Sequence, residues 1–180
     1  MHLEKLLEEK EFKTRILKAA RMVEANGRES SFAVASVGEN LIFGDVLSGE
    51  CERSMPEEGI QKYLFPFFMK GFDAKIEGVV HFHPSDDHLI VPSAEDLKSL
   101  FWKVDYGLTV EPSFKWMVIG MASSEVRLLC ISPIRATEAD VEEWLSWAEA
   151  MENLFFTEER QREINRELGE IGFRVEYRVI

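Results

Sequence analysis

Two histidines separated by one residue are the clearest chemical signal in the sequence. His81 and His83 lie at the end of a predicted strand over residues 75–82. Side chains two residues apart in a strand point to the same face of the sheet, so both imidazoles can reach one metal ion. Asp96 follows in the first turn of the next predicted helix, where its carboxylate can fold back over the strand end. Two imidazoles, one carboxylate and an open fourth position are typical of catalytic zinc, although iron(II) and manganese accept the same ligands.

The residues around Asp96 also fit a simpler structural pattern. Ser93 and Asp96 have the spacing of a helix capping box, with Ser93 as the N-cap residue and Asp96 at the third helical position. Taken alone, this pattern favours a helix start over a metal site. Both interpretations can hold together, because a cap would fix the helix that presents Asp96. His88 is predicted to lie in the intervening loop and not to bind the metal.

Helices and strands alternate along the chain. Apolar spacing and turn residues predict helices over 3–25 (in two pieces), 57–70 (kinked or shortened at Pro66), 93–104, from 137 onward and 157–169. The predicted strands cover 31–37, 41–47, 75–82, 116–122, 126–132 and 173–180. This mixture, with several hairpins, predicts an α/β (α+β) fold in which helices flank one central sheet.

Charge and cysteine content exclude several functional classes. The net charge of -12 argues against a general nucleic-acid or anionic-membrane surface, since both need clustered Lys and Arg. Cys51 and Cys130 are too few for a disulfide framework and form no CxxC metal motif, which favours free thiols in a reducing compartment. No signal-peptide block or long apolar run occurs, so we expect a cytoplasmic protein without membrane segments.

The combination of His-x-His-Pro with Ser-x-x-Asp-Leu resembles the JAMM metallopeptidases of the MPN domain class. The matching residues are His81, His83, Pro84, Ser93, Asp96 and Leu97. The resemblance extends over the order of elements from about Ile16 to Pro133 and implies an MPN/JAMM-like metallohydrolase domain over 1–136 with a central mixed sheet. Residues 137–180 match no signature of the family. We predict that they form a helical extension and a final strand, packed on the same domain.

The chain departs from the family pattern at two points. The loop between His83 and Ser93 is longer than the usual form, and the extra length is expected between Ser85 and Val91. Phe82 lies between the two histidines, where family members usually have Ser or Thr. Neither departure removes a ligand.

The resemblance also implies the roles of individual residues. One zinc ion per chain would be held by His81, His83 and Asp96. The catalytic glutamate of the family lies early on the first strand, for which Glu29 is the best match. Glu24, on the preceding predicted helix, is the weaker alternative. Ser93 would hydrogen-bond to the oxyanion that forms on the substrate.

The activity implied by the resemblance is hydrolysis of amide or isopeptide bonds, with conjugates of ubiquitin-like proteins or peptides as substrates. Three alternatives stay open. The first is a non-catalytic MPN-type scaffold, although scaffold members usually lack the histidines or the aspartate that this chain has. The second is a metal-dependent hydrolase of a small molecule or a sulfur-carrier protein. The third is a metal-binding regulatory module in which the C-terminal helices govern a partner. Its aromatic residues Trp144, Trp147, Phe155 and Phe156 could form an interface, but the helical spacing favours core positions for them.

Overall fold

A seven-stranded mixed sheet forms the centre of the computed structural model, which describes residues 3–49, 56–84, 88–101, 103–105, 110–112, 114–151 and 154–180. Its strands are β1 (Ser30–Val37), β2 (Asn40–Phe43), β3 (Leu47–Ser48), β4 (Ala74–His83), β7 (Trp116–Ala122), β8 (Val126–Pro133) and β9 (Phe173–Val179). The order across the sheet is β2-β1-β4-β7-β8-β9, and β3 also pairs with β1. Strands β5 (Lys103–Asp105) and β6 (Val110–Pro112) form a separate pair.

The described residues include six helices, which lie against the sheet or between its strands. They are α1 (Leu3–Leu6), α2 (Lys10–Asn26), α3 (Pro56–Phe68), α4 (Ala94–Ser99), α5 (Glu138–Met151) and α6 (Glu158–Glu170). Helix α2 has a buried stripe from Phe12 to Val23 and ends at Gly27, whose positive φ of 64° suits a residue without a side chain. Among the described residues, no helix combines the length and the apolarity needed to cross a membrane.

The sheet separates two apolar layers. Helices α1 and α2 cover one face, and apolar residues of α3, α4, α5 and α6 pack on the other. Alternation along β4 directs Val80 and Phe82 toward α2 and Val79 toward the opposite layer. His81 and His83 have the same parity as Val79, so they face the side of the sheet on which α4 lies.

The connection between β4 and β7 determines where the chemistry can occur. These two strands are parallel, with Phe82 opposite Gly120 and His83 opposite Met121, whereas the other strand pairs of the sheet are antiparallel. Parallel neighbours require a crossover connection, and here the crossover contains α4. Ligand sites in sheets with parallel strands lie beyond the carboxyl ends of those strands, which is where β4 presents its histidines.

Most predicted elements are present, with two corrections. The predicted strand 41–47 is interrupted after Phe43 and appears as β2 and β3. The predicted helix 93–104 was wrong at its C-terminal end, because α4 stops at Ser99 and residues 103–105 form β5. Phe101 packs edge-on against Phe173 of β9, with ring centroids 6.2 Å apart. The chain just after α4 thus packs against a distant strand, which a local pattern does not indicate.

Strand β9 extends the sheet beyond the region of resemblance. It pairs with β8 from Phe173 to Val179, although it follows α5 and α6 in the chain. The predicted division between residues 136 and 137 falls in the connection from β8 to α5. The sheet therefore includes strands from both sides of that division.

Phe82, the unusual residue between the two histidines, fits because its neighbour is a glycine. The Phe82 side chain is fully buried in the layer beneath α2. A Cβ atom at Gly120 on the adjacent β7 would lie 2.4 Å from Cε1 of Phe82. The Phe82 ring thus occupies the space that a side chain at residue 120 would need.

We expect Gly120→Ala to lower the free energy of unfolding by about 1–3 kcal/mol, because the new methyl group overpacks the core against Phe82. Urea unfolding followed by circular dichroism measures this change. Gly169→Ala is the control: Gly169 lies in α6 with open space around its Cβ position, so alanine there should be neutral or stabilising by up to about 1 kcal/mol. Equal stability of the two variants would contradict the packing argument.

Candidate metal centre

His81 and His83 lie side by side at the carboxyl end of β4. Their ring centroids are 4.8 Å apart, and the ring planes differ by 27°. One ligand atom from each of His81, His83 and Asp96 lies within 4.8 Å of the others. Among the residues that the structure describes, these three form the group that could hold a metal ion. The structure therefore brings together the three residues that the sequence predicted as ligands.

The two carboxylate oxygens of Asp96 have different partners. Oδ2 accepts a hydrogen bond from the backbone N–H of Ser93 at 2.8 Å, and Oγ of Ser93 accepts one from the N–H of Asp96 at 3.1 Å. The predicted capping box is thus confirmed. Oδ1 points the other way and lies 3.2 Å from Nε2 of His81. One residue can therefore start α4 and still offer an oxygen to the histidines.

Asp96 is held in its ionised form. Burial alone raises the pKa of Asp96, but the neighbouring His81 and His83, together with hydrogen bonding from Ser93, outweigh this and bring the pKa below its ordinary value. At neutral pH the side chain is therefore a carboxylate. That is the form in which aspartate binds metal ions.

His81, the more buried of the two histidines, shows whether a metal ion would fit the site. Nε2 of His81 is buried and makes no hydrogen bond to any described residue, since its contact with Asp96 lacks hydrogen-bond geometry. A buried polar atom without a partner costs about 1–3 kcal/mol of stability. A metal ion would use the lone pair of this nitrogen. Two imidazoles and one carboxylate suit divalent metals such as zinc, iron or manganese, so the residues fit such an ion.

Glu29 lies beside this group, on the segment that leads into a different strand. It immediately precedes β1, and the pairing of β1 with β4 places Ser30 opposite Phe82 and Ser31 opposite His81. One carboxylate oxygen of Glu29 lies 3.9 Å from Nε2 of His83. Glu24, the alternative, is exposed on α2, which covers the opposite face of the sheet. Of the two glutamates, only Glu29 approaches the histidines.

The loop that follows His83 is attached to the C-terminal helices. The side chain of Gln161 on α6 bonds both backbone groups of Ile90: Oε1 accepts from Ile90 N–H at 3.1 Å, and Nε2 donates to Ile90 C=O at 3.2 Å. Nε1 of Trp144 on α5 donates to the carbonyl of Pro92 at 3.2 Å. Residues 85–87 lie outside the described residues. From Leu89 onward, the longer loop is part of the core and not a surface bulge.

A pocket opens next to His83. Its volume is about 230 Å³, and it lies between His83, Ser93, the loop residues 88–91 and Met121. His88 stacks on Phe155 at its rim, with ring centroids 5.4 Å apart. The pocket thus adjoins a candidate ligand and the residue that caps α4.

The aromatic residues that the sequence offered as an interface have different environments. Trp144 is buried, and Trp147 and Phe156 are partly buried in the core. The guanidinium of Arg127 lies 4.1 Å from the ring centroid of Phe156. Phe155 is exposed. These side chains therefore do not form one continuous exposed patch.

Cys130 is a buried free thiol. Burial raises the pKa of this thiol to about 12, so it stays protonated at neutral pH. The prediction of a buried free thiol is correct for Cys130. Cys51 lies outside the described residues.

No protein-family model matches the chain, and no curated protein matches it either. The function is therefore inferred from the geometry of the site.

Gln161 is a residue near the site that the sequence argument did not find. The signal was present: Gln161 shares a buried helical stripe with Ile164 and Leu168, where a polar residue is unusual. Its amide could not be assigned a role without knowing that α6 packs against the loop containing Ile90.

We expect Gln161→Leu to lower the free energy of unfolding by about 1–3 kcal/mol, because it leaves buried backbone groups of Ile90 without partners. Hydrogen exchange should also show faster exchange of the Ile90 amide. Arg162→Ala on the same helix is the control, since the Arg162–Glu158 ion pair is exposed and should contribute little. A normal Ile90 exchange rate in Gln161→Leu would contradict this assignment.

We expect the protein, purified without a metal-affinity tag and supplied with a divalent metal, to retain about one ion per chain. His83→Ala should lose the ion. Asp96→Asn should also bind it weakly, although an amide oxygen can still accept the capping hydrogen bond, so folding should persist. Elemental analysis measures the content, and His88→Ala is the control histidine that should keep the ion. Full metal in His83→Ala would show that these residues are not the ligands.

Proposed function

We propose that the protein is a zinc metallopeptidase of the JAMM type that hydrolyses amide or isopeptide bonds. The observation that carries the proposal is the position of Glu29. This carboxylate lies 3.9 Å from His83 and beside a His-His-Asp group that could hold a metal ion. A metal site with an adjacent carboxylate from another segment has the components of a metal-assisted hydrolase.

His81, His83 and Asp96 would hold the ion. Three protein ligands, with one position left for water or substrate, are the usual arrangement of catalytic zinc sites. Bound zinc supplies a Lewis acid that lowers the pKa of a water molecule to roughly 7 and polarises the substrate carbonyl. The remaining steps depend on groups that this chain provides.

Glu29 would act as the general base and then as the general acid. Its carboxylate takes a proton from the attacking water molecule and returns it to the nitrogen of the leaving amine. The separation from His83 Nε2 leaves Glu29 next to the ligand set without a direct hydrogen bond to that atom. Its side chain is 20% exposed, so water can reach it.

Ser93 would stabilise the charge that develops on the substrate carbonyl oxygen. Its Oγ accepts a hydrogen bond from the N–H of Asp96, and this leaves the hydroxyl proton available for donation. The capping interaction fixes Ser93 at the edge of the pocket that adjoins His83. A donor held in place before the reaction is effective in stabilising an oxyanion.

The substrates we propose are conjugates of ubiquitin-like proteins, or peptides, as the JAMM resemblance implies. The scissile carbonyl would lie between Glu29 and Ser93. The pocket beside His83 would then receive the chain next to that bond. The negative charge of the protein is compatible with a protein substrate and disfavours nucleic acid.

We expect Glu29→Gln to keep the metal and to lower turnover by about 10²–10⁴-fold, because proton transfer is removed while the ligands stay intact. Turnover of a fluorogenic isopeptide-linked conjugate and metal content are measured on the same preparation. Glu24→Gln is the matched control and should behave like the wild type.

Full turnover in Glu29→Gln would refute the role of this residue. A wild-type protein that binds zinc but cleaves no peptide or isopeptide substrate would refute the peptidase proposal. That result would favour a scaffold, a regulatory module or a hydrolase of another substrate class.

A further inference from the structure

Two adjacent serines at the start of β1 have opposite environments. Ser30 and Ser31 are both fully buried. The hydroxyl of Ser30 donates to the carbonyl of Ala19 on α2 at 2.8 Å. Because neighbouring side chains in a strand point to opposite faces, Ser31 faces away from α2. That is the face on which Glu29, two residues earlier, approaches His83.

The strand register places Ser31 next to His81. Ser31 lies directly opposite His81 in the antiparallel pairing of β1 with β4. Residues directly opposite each other in such a pair have Cβ atoms about 4.5–5.5 Å apart and share one face of the sheet. Ser31 on β1 therefore lies beside His81 on β4, and Glu29, just before β1, lies near His83.

The hydroxyl of Ser31 lacks a hydrogen-bond partner within the described part of the chain. Its Oγ is buried and makes no hydrogen bond to any residue that the structure describes, and the same is true of Nε2 of His81 across the strand pair. Packing does not require serine here, since the next two residues on the same face of β1 are Ala33 and Ala35. A buried hydroxyl without a partner lowers stability compared with alanine. The Ser31 side chain therefore makes the folded protein less stable than alanine would at this position.

We propose that Ser31 is a positioning residue of the metal centre. Its hydroxyl hydrogen-bonds to the loaded site, directly or through one water molecule, and so fixes the ligand set around His81. Groups outside the ligand shell commonly orient the ligands in this way. This inference rests on the metal site of the proposed function but not on the peptidase reaction.

The test compares Ser31→Ala, Ser31→Thr and the control Ser30→Ala. Zinc affinity is measured by competition with a chromophoric chelator, and thermal unfolding is followed in the metal-free protein. We expect Ser31→Ala to raise the metal-free Tm by about 2–4 °C, since it removes an unsatisfied hydroxyl. The same variant should bind zinc about 10–100-fold more weakly. Ser31→Thr, which keeps the hydroxyl, should bind zinc close to the wild-type affinity.

Ser30→Ala should show the reverse pattern. It removes a satisfied hydrogen bond to α2, so its metal-free Tm should fall by about 2–4 °C while its zinc affinity stays unchanged. A purely structural serine at residue 31 would behave like Ser30 and lower the Tm without changing the affinity.

Two results for Ser31→Ala would overturn the inference. One is a zinc affinity of Ser31→Ala within about threefold of the wild type, well short of the loss expected for an outer-shell group. The other is a loss of Tm in Ser31→Ala that matches the loss in Ser30→Ala. Because zinc affinity is measured without substrate, a protein that binds zinc but cleaves no conjugate would refute the proposed activity and leave the Ser31 result decisive. A wild type that binds no zinc would refute both proposals.

Discussion

The alternation of side chains along β4 is the constraint on which the rest of the site depends. It directs His81 and His83 to one face of the sheet. Phe82, which lies between them in the sequence, is buried on the opposite face. The parallel pairing with β7 places Gly120 beside Phe82 and so makes room for its ring. A shift of register by one residue would exchange the two faces and move both imidazoles into the apolar layer under α2. The packing of Phe82 and the orientation of the two histidines thus both depend on the register of β4.

The capping box at α4 connects the start of a helix with the chemistry of the site. Oδ2 of Asp96 accepts from the backbone of Ser93, while Oδ1 lies near His81. A helix of six residues gains little from its own hydrogen bonds, so its cap has a large share in fixing its direction. The same carboxylate is held ionised by the neighbouring histidines and Ser93 despite its burial. Folding of α4 and readiness to bind a cation therefore depend on the same side chain.

The C-terminal helices take part in shaping the site from a distance. Gln161 and Trp144 bond the backbone of the loop that follows His83, and β9 extends the sheet beside β8. A loop of this kind has many backbone groups that need partners once it is buried. Helices α5 and α6 provide some of these partners. Loop residues 88–91 form one wall of the pocket.

The sequence by itself determined the local features: the common face of His81 and His83, the capping box at Ser93 and Asp96, and most helices and strands. These features depend on spacings of two to four residues, and at such spacings the local backbone geometry determines where each side chain points. Only the tertiary structure showed that Glu29, and not Glu24, lies near His83, because that proximity depends on the pairing of β1 with β4. It also decided the end of α4, where Phe101 meets β9, and the role of Gln161. These contacts join residues far apart in the chain. Register and packing between distant segments do not appear in the local hydrophobic pattern of either segment, so the sequence alone does not predict them.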